Sequence, residues 1–134
     1  MSSRYLLDVN ALVGLLWNVH SLHARAHAWF VREKPEVFGC AFTELSFLRV
    51  SMADKTIAAS FADASLILAQ FTASLGSRYH FIEQLPPAAI LESLPILSQK
   101  QVSDLYLCEL AKTHHARLAT LDTGIQHPQA LLIA

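Results

Sequence analysis

The sequence predicts an α/β domain of three layers, α/β/α, around a central parallel sheet of four or five strands. The first observation behind this is an alternation of short apolar runs with longer helix-like segments, as parallel strands joined by crossover helices read in sequence. The second is composition. With 53% hydrophobic and 16% charged residues over 134 positions, the chain can bury about two-thirds of its unfolded surface in a real core. The third is continuity: no repeat, low-complexity tract or linker interrupts the chain, so residues 1–134 read as one domain.

Arg4 to Leu7 reads as a buried strand ending at Asp8. A short apolar helix follows from Asn10 to Trp17, with Asp8 or Asn10 available as its cap. Ser21 is the expected cap of a second helix, Leu22 to about Lys34, which Pro35 stops. Val37 to Ala41 is the second strand, and Thr43 is expected to cap a helix running to about Ala53. Ser60, with Asp63 three residues on, resembles a capping box and opens a long amphipathic helix to Leu75, ended by Gly76. Tyr79 to Ile82 is the third strand, after which Pro86, Pro87 and Pro95 mark a broken stretch with a helical turn or two. Gln101 to His114 is helical, Arg117 to Leu121 is the fourth strand, and Leu131 to Ile133 is a candidate fifth.

Composition excludes several classes. A core-rich, charge-poor chain is not disordered. Its charged fraction falls below the usual ~25%, which suggests surface covered in an oligomer or by a partner. A membrane helix needs about 18 apolar residues, and the uncharged stretch Ala64 to Ser77 is too short and carries Ser, Gln and Thr. Asp8 and Asn10 interrupt the apolar run after Arg4, so no signal peptide is expected. Cys40 and Cys108 then read as two buried thiols of a cytoplasmic protein. The net charge of −1 neither favours nor excludes a nucleic-acid substrate.

In parallel α/β sheets, ligands bind beyond the carboxyl ends of the strands. Four acids are expected at that edge: Asp8 after the first strand, Glu44 just past the second, Asp122 after the fourth, and Asp104 near the start of the helix leading into the fourth. Each alone has an ordinary explanation as a helix cap or a first-turn charge. Together they would repel one another unless a cation neutralised them. An all-oxygen carboxylate set suits Mg²⁺ or Mn²⁺, and such sites activate water and stabilise charge on a phosphodiester.

Five motifs occur in order along nearly the whole chain: Leu6-Leu7-Asp8-Val9-Asn10-Ala11-Leu12; His23-Ala24-Arg25-Ala26-His27-Ala28-Trp29-Phe30; Thr43-Glu44-Leu45-Ser46-Phe47-Leu48-Arg49-Val50; Gln101-Val102-Ser103-Asp104-Leu105-Tyr106-Leu107; and Arg117-Leu118-Ala119-Thr120-Leu121-Asp122. Each is short, but their order and spacing resemble the PIN-domain ribonucleases, specifically the VapC-type toxins of type II toxin–antitoxin pairs. The resemblance implies a PIN-like fold and a Mg²⁺-dependent endoribonuclease, with Mn²⁺ able to substitute. It implies catalytic roles for Asp8, Glu44, Asp104 and Asp122. Asp8 and Asp104 would hold the metal directly, while Glu44 and Asp122 would complete the cage or orient water. It also implies an RNA substrate such as tRNA or rRNA, a cognate antitoxin and a homodimer. Ser103 stands where Thr is more usual, and Gly124 makes the loop after Asp122 more pliable.

Supporting roles follow. Asn10 is expected to cap the first helix and meet the Thr120 hydroxyl, and Thr43 to position Glu44 by capping its helix. Arg49 lies about 140° round that helix from Glu44, a candidate contact to substrate or antitoxin. Setting the four acids aside leaves ten basic residues against seven acidic ones, a balance that permits a polyanion with modest, salt-sensitive affinity. His23 and His27 have the i, i+4 spacing of a zinc pair but no obvious third ligand, so a polar helix face explains them better. The resemblance also brings His20 and His23 near the cleft. A non-enzymatic scaffold of the same fold is the main rival reading, against which all four acids are retained. A haloacid-dehalogenase-type phosphatase would want an acid where Asn10 stands. A DNA-directed nuclease is separable only by comparing substrates.

Overall fold

The structure is a computed structural model that describes residues 3–96 and 98–134. Five strands, β1 (Arg4–Leu7), β2 (Glu36–Gly39), β3 (Tyr79–Phe81), β4 (Arg117–Thr120) and β5 (Ala130–Leu132), make one sheet in the order β3-β2-β1-β4-β5. Every neighbouring pair is parallel, with Leu6 opposite Phe38 on one side and Leu118 on the other. The three central strands read as continuous apolar runs because both of their faces are covered. Tyr5, Leu7, Val37 and Ala119 point into one apolar cluster, while Leu6, Phe38 and Leu118 point into another on the opposite face. β3 and β5, at the edges, are only partly buried.

Six helices flank the sheet: α1 (Val9–Leu16), α2 (His23–Glu33), α3 (Ala41–Ala53), α4 (Phe61–Leu75), α5 (Pro87–Leu91) and α6 (Gln99–Thr113). The first four share their core with the Leu7 face, and α5 and α6 with the Leu6 face, which gives the expected three layers. Edge-to-face packing of Tyr5 on Trp29 seats α2, and stacking of Trp17 on Phe47 with an indole N–H bond to Ser51 locks α1 to α3.

Several boundaries differ from those expected, each for a local reason. Asp8 itself is the N-cap of α1, accepting from the Val9 amide, so Asn10 lies inside the helix. Ser21 caps nothing: α2 starts after Leu22 without a side-chain cap, and its entry is held by the Leu22 amide donating to His20. The second strand ends at Gly39, and Cys40 is the N-cap of α3. Thr43 acts from the third helical position, where its hydroxyl reaches back to the Cys40 amide at 3.2 Å. Ser60 caps α4 as expected, and Gly76 takes the positive φ of 56° that ends it. Ser98 opens α6 with Gln101 reciprocating, two residues ahead of the expected start.

Gly39 sits where β2 meets the Tyr79 side chain of β3. A Cβ there would lie 1.9 Å from the Tyr79 hydroxyl oxygen. That hydroxyl donates to the Glu44 carboxylate in the first turn of α3, tying the edge strand to the helix. Gly39→Ala is therefore expected to displace the ring, break this tie and destabilise the fold by about 1–3 kcal/mol, measured by urea unfolding.

Candidate functional site

From β1 the chain works outward to β2 and β3, then returns to the other side of β1 as β4 and β5. The strands that leave in opposite directions, β1 and β4, therefore lie side by side, and a crevice opens beyond their carboxyl ends. A cavity of about 310 Å³ is found there, and Asp8, Asn10, Ser103, Asp104 and Asp122 line it.

Thr120 at the end of β4 fastens this crevice. It is 1% exposed, and its hydroxyl donates to one carboxylate oxygen of Asp8 at 2.7 Å and accepts from the Asp122 amide at 3.0 Å. The other Asp8 oxygen accepts from the Val9 amide at 2.8 Å, while the Asp8 amide donates to Ala119. Asn10 works beside it: its side-chain carbonyl accepts the Leu121 amide at 3.0 Å and lies 3.4 Å from the Thr120 hydroxyl. Asn10 thus holds the start of the β4–β5 loop. Asp122 closes that loop by accepting the Gly124 amide, so Gly124 is pinned at this point.

The carboxylates disturb one another. Burial raises the pKa of Asp8, the Asp122 charge raises it further, and the bonds from Thr120 and Val9 oppose the shift. Asp104 is pushed up to about 6, by burial first and then by the charges on Asp8 and Asp122. One turn along α6, the Cys108 thiol is pushed up to about 12, chiefly by burial and then by Asp8 and Asp104, so it stays protonated and inert.

Three of the four expected acids thus share one cavity; Glu44 does not. It lies at the same sheet edge, but it leans toward β3 and bonds Tyr79, whose hydroxyl is pushed above its ordinary pKa by burial and by this carboxylate. The reason lies in helix geometry. Along α3 a stripe of Phe42, Val50 and the C-cap Asp54 lines the aspartate cavity; Glu44, two residues past Phe42, is turned about 200° away. Asp54 and His20 complete the wall, and His20 meets the expectation of a histidine near the cleft. Asp54 was legible only as a member of that helical stripe. Its carboxylate lies below the usual range, held there first by the Thr56 hydroxyl and amide, with a smaller contribution from His20. Arg49, exposed on α3, opens onto an adjoining hollow that shares Val50 with the cavity. His23 does not line the cavity. Its Nδ1–H donates to the Gly14 carbonyl at 2.9 Å, and its ring lies 5.5 Å from that of His27.

Among the described residues no three His, Cys, Asp or Glu side chains are grouped so as to hold a metal ion by themselves. At the aspartate cavity the donor chemistry fits a hard divalent cation: Asp8, Asp104 and Asp122 bring carboxylate oxygens to one space, where the Asp122 charge raises the proton affinity of Asp8 and the Asp8 and Asp122 charges raise that of Asp104. Mg²⁺ in particular takes one or two protein carboxylates and fills its remaining positions with water and substrate phosphate.

No protein-family model matches the chain. Relatives along nearly its whole length do. Ribonuclease VapC38 of Mycobacterium tuberculosis is 36% identical over 124 residues, spanning 90% of this chain and 86% of that protein. Ribonuclease VapC44 of the same species is 35% identical over 128 residues, spanning 91% and 88%. The chain belongs to the VapC ribonuclease family. Solved structures share the fold of this VapC-family chain. A toxin–antitoxin complex from Klebsiella pneumoniae matches with a TM-score of 0.62 at 16% identity, covering 97% of this chain and 98% of that one. VapBC2 from Rickettsia felis, bound to a DNA fragment from its promoter, matches at 0.60 and 14% identity, with 96% of both chains covered. VapC20 of M. tuberculosis, a sarcin-ricin loop cleaving toxin, matches at 0.58 and 8% identity, with 87% of both covered.

A raised carboxylate pKa means that ionisation opposes folding. For Asp104 this penalty is absent well below the usual carboxylate range and complete above about 6. Asp104→Asn is therefore expected to raise the melting temperature at pH 7.5 without divalent cation by roughly a degree or two, a small gain because solvent screens a partly exposed group. The gain should fade between pH 6 and about 4. Mg²⁺ should raise the melting temperature of the parent protein more than that of the variant, which differential scanning fluorimetry reads directly.

Proposed function

We propose that this chain is a Mg²⁺-dependent endoribonuclease, acting in the cytoplasm as the toxin of a toxin–antitoxin pair. The observation that carries this reading is the crevice between β1 and β4, where Asp8, Asp104 and Asp122 meet around one cavity and the proton affinities of Asp8 and Asp104 are raised. Asp8 and Asp104 would hold the cation, Mg²⁺ or in its place Mn²⁺. When bound, the cation supplies charge stabilisation at the phosphodiester and lowers the pKa of water. Asp122, exposed at the mouth with one oxygen held by Gly124, keeps its other oxygen available to orient the attacking water and take its proton. The water oxygen bonds to phosphorus as the bond to the leaving ribose oxygen breaks, and that oxygen takes a proton from solvent. Thr120 and Asn10 keep Asp8 and the β4–β5 loop in position throughout.

Glu44 braces the edge of the site through Tyr79. Arg49, on the hollow that adjoins the cavity, is placed to contact RNA backbone or the antitoxin. The substrate would be an RNA such as tRNA or rRNA; the sarcin-ricin loop cleaving toxin VapC20 shares this fold and supports an RNA target, and the toxin–antitoxin complexes that share it support an antitoxin partner. Leu45 and Met52 of α3 and Phe61 and Leu66 of α4 are exposed apolar side chains that suit a homodimer contact.

The test is incubation of the purified chain, free of antitoxin, with total bacterial RNA in Mg²⁺, Mn²⁺ or EDTA. Discrete fragments should form with either metal and disappear with EDTA. Asp8→Asn and Asp104→Asn should each lower the cleavage rate about 100-fold or more. Glu44→Gln should lower it by only a few-fold while reducing the melting temperature. Metal-independent cleavage would overturn the mechanism, and a Glu44→Gln loss as deep as that of Asp104→Asn would restore Glu44 to the catalytic set.

A further inference from the structure

The aspartate cavity has to admit a phosphate although Asp8, Asp54, Asp104 and Asp122 all line it. Among the side chains lining it, His20 alone offers a ring donor that can also carry positive charge. Its position is set from several sides. His20 lies between α1 and α2, where its amide donates to the Trp17 carbonyl and its carbonyl accepts from the His23 amide. Its ring Nδ1 accepts the Leu22 amide at 3.1 Å, so in the neutral ring the proton is on Nε2. The ring rests against the bare backbone of Gly14, where a Cβ would lie 3.5 Å from Nδ1 and 3.7 Å from Cε1. Nε2 makes no hydrogen bond with any described residue and is not among their buried, unpartnered polar atoms.

We infer that His20 is a substrate-binding residue of this cleft, whose Nε2–H holds a phosphate oxygen of the RNA strand in the cavity that the cation-binding aspartates also line. The inference rests on the ribonuclease reading above and adds a contact outside the acidic set. The ring is preorganised: the Leu22 bond fixes the tautomer, and two backbone bonds fix the turn, so binding RNA costs little ordering.

The experiment uses the shortest oligoribonucleotide that the parent protein cuts, defined by end-mapping its products from total bacterial RNA. Steady-state kinetics in saturating Mg²⁺ are compared for the parent, His20→Ala, His20→Asn and His20→Gln, each checked for an unchanged melting temperature. Asparagine can still accept the Leu22 amide but has no donor at the Nε2 position, whereas glutamine places an amide N–H near it. His20→Ala and His20→Asn should raise KM about tenfold or more with kcat within a few-fold of the parent, and His20→Gln should recover most of the loss. An unchanged KM in His20→Ala overturns the inference, as does a fall in kcat at constant KM or a glutamine variant no better than asparagine. If any substitution lowers the melting temperature, KM is read from the variants that keep it. Failure of the parent protein to cut RNA would instead overturn the ribonuclease reading itself.

Discussion

The site depends on one buried hydrogen bond, from the Thr120 hydroxyl to the Asp8 carboxylate. Asp8 is only 5% exposed, a costly place for a charge. It is tolerated because one oxygen has the Val9 amide, the other has Thr120, and Thr120 in turn has the Asp122 amide. This chain of bonds joins the ends of β1 and β4, whose carboxyl ends meet at the switch point of the sheet. Through it the position of each aspartate is coupled to the register of the sheet. Pairing of Leu7 with Ala119 puts Asp8 and Thr120 level, and a slip of one residue would turn one of them onto the wrong face.

Stability and function pull against each other here. Burial raises Asp8 and Asp104, and the shared negative charge raises them further, so the ionised site opposes the folded state. On the proposed reading a divalent cation, binding only the assembled crevice, would restore stability while completing the chemistry. The hydrophobic layers supply the excess that makes this strain bearable: the central strands are covered on both faces, and Trp17, Trp29 and Phe47 lock α1, α2 and α3 over one of them. The Glu44–Tyr79 bond belongs to that supporting structure. It closes the edge of the sheet where Gly39 leaves room for the ring, and it keeps a fourth carboxylate out of an already crowded cavity.

The chain's order of elements, its parallel α/β class and the sheet-edge placement of three of the aspartates that line the cavity could be read directly, because each rests on local pattern. Apolar runs mark buried strands, Ser60 and Gly76 mark the ends of α4, and acids after strands mark the carboxyl edge. The motif order was specific enough to indicate the VapC family, which relatives over nine-tenths of the chain show. Cap identity was less legible. Cys40, a weak hydrogen-bonding side chain, occupies a cap position because Thr43 can satisfy its amide from within the helix.

What tertiary structure alone decided is which residues of one helix face which neighbour. Thr43 and Glu44 are adjacent in sequence, yet a rotation of about 100° per residue sends one into the core and the other toward β3. The same rotation, continued along α3, brings Asp54 to the cavity that Glu44 was expected to share. Nothing local sets the absolute phase of α3 against the sheet; the packing of Phe47 on Trp17 and the Ser51 bond to the Trp17 indole do so, and both involve residues distant in the chain. The sequence by itself determined the strands, their acids and the family to which they belong. The phase of one helix, set by long-range packing, determined which of those acids meet.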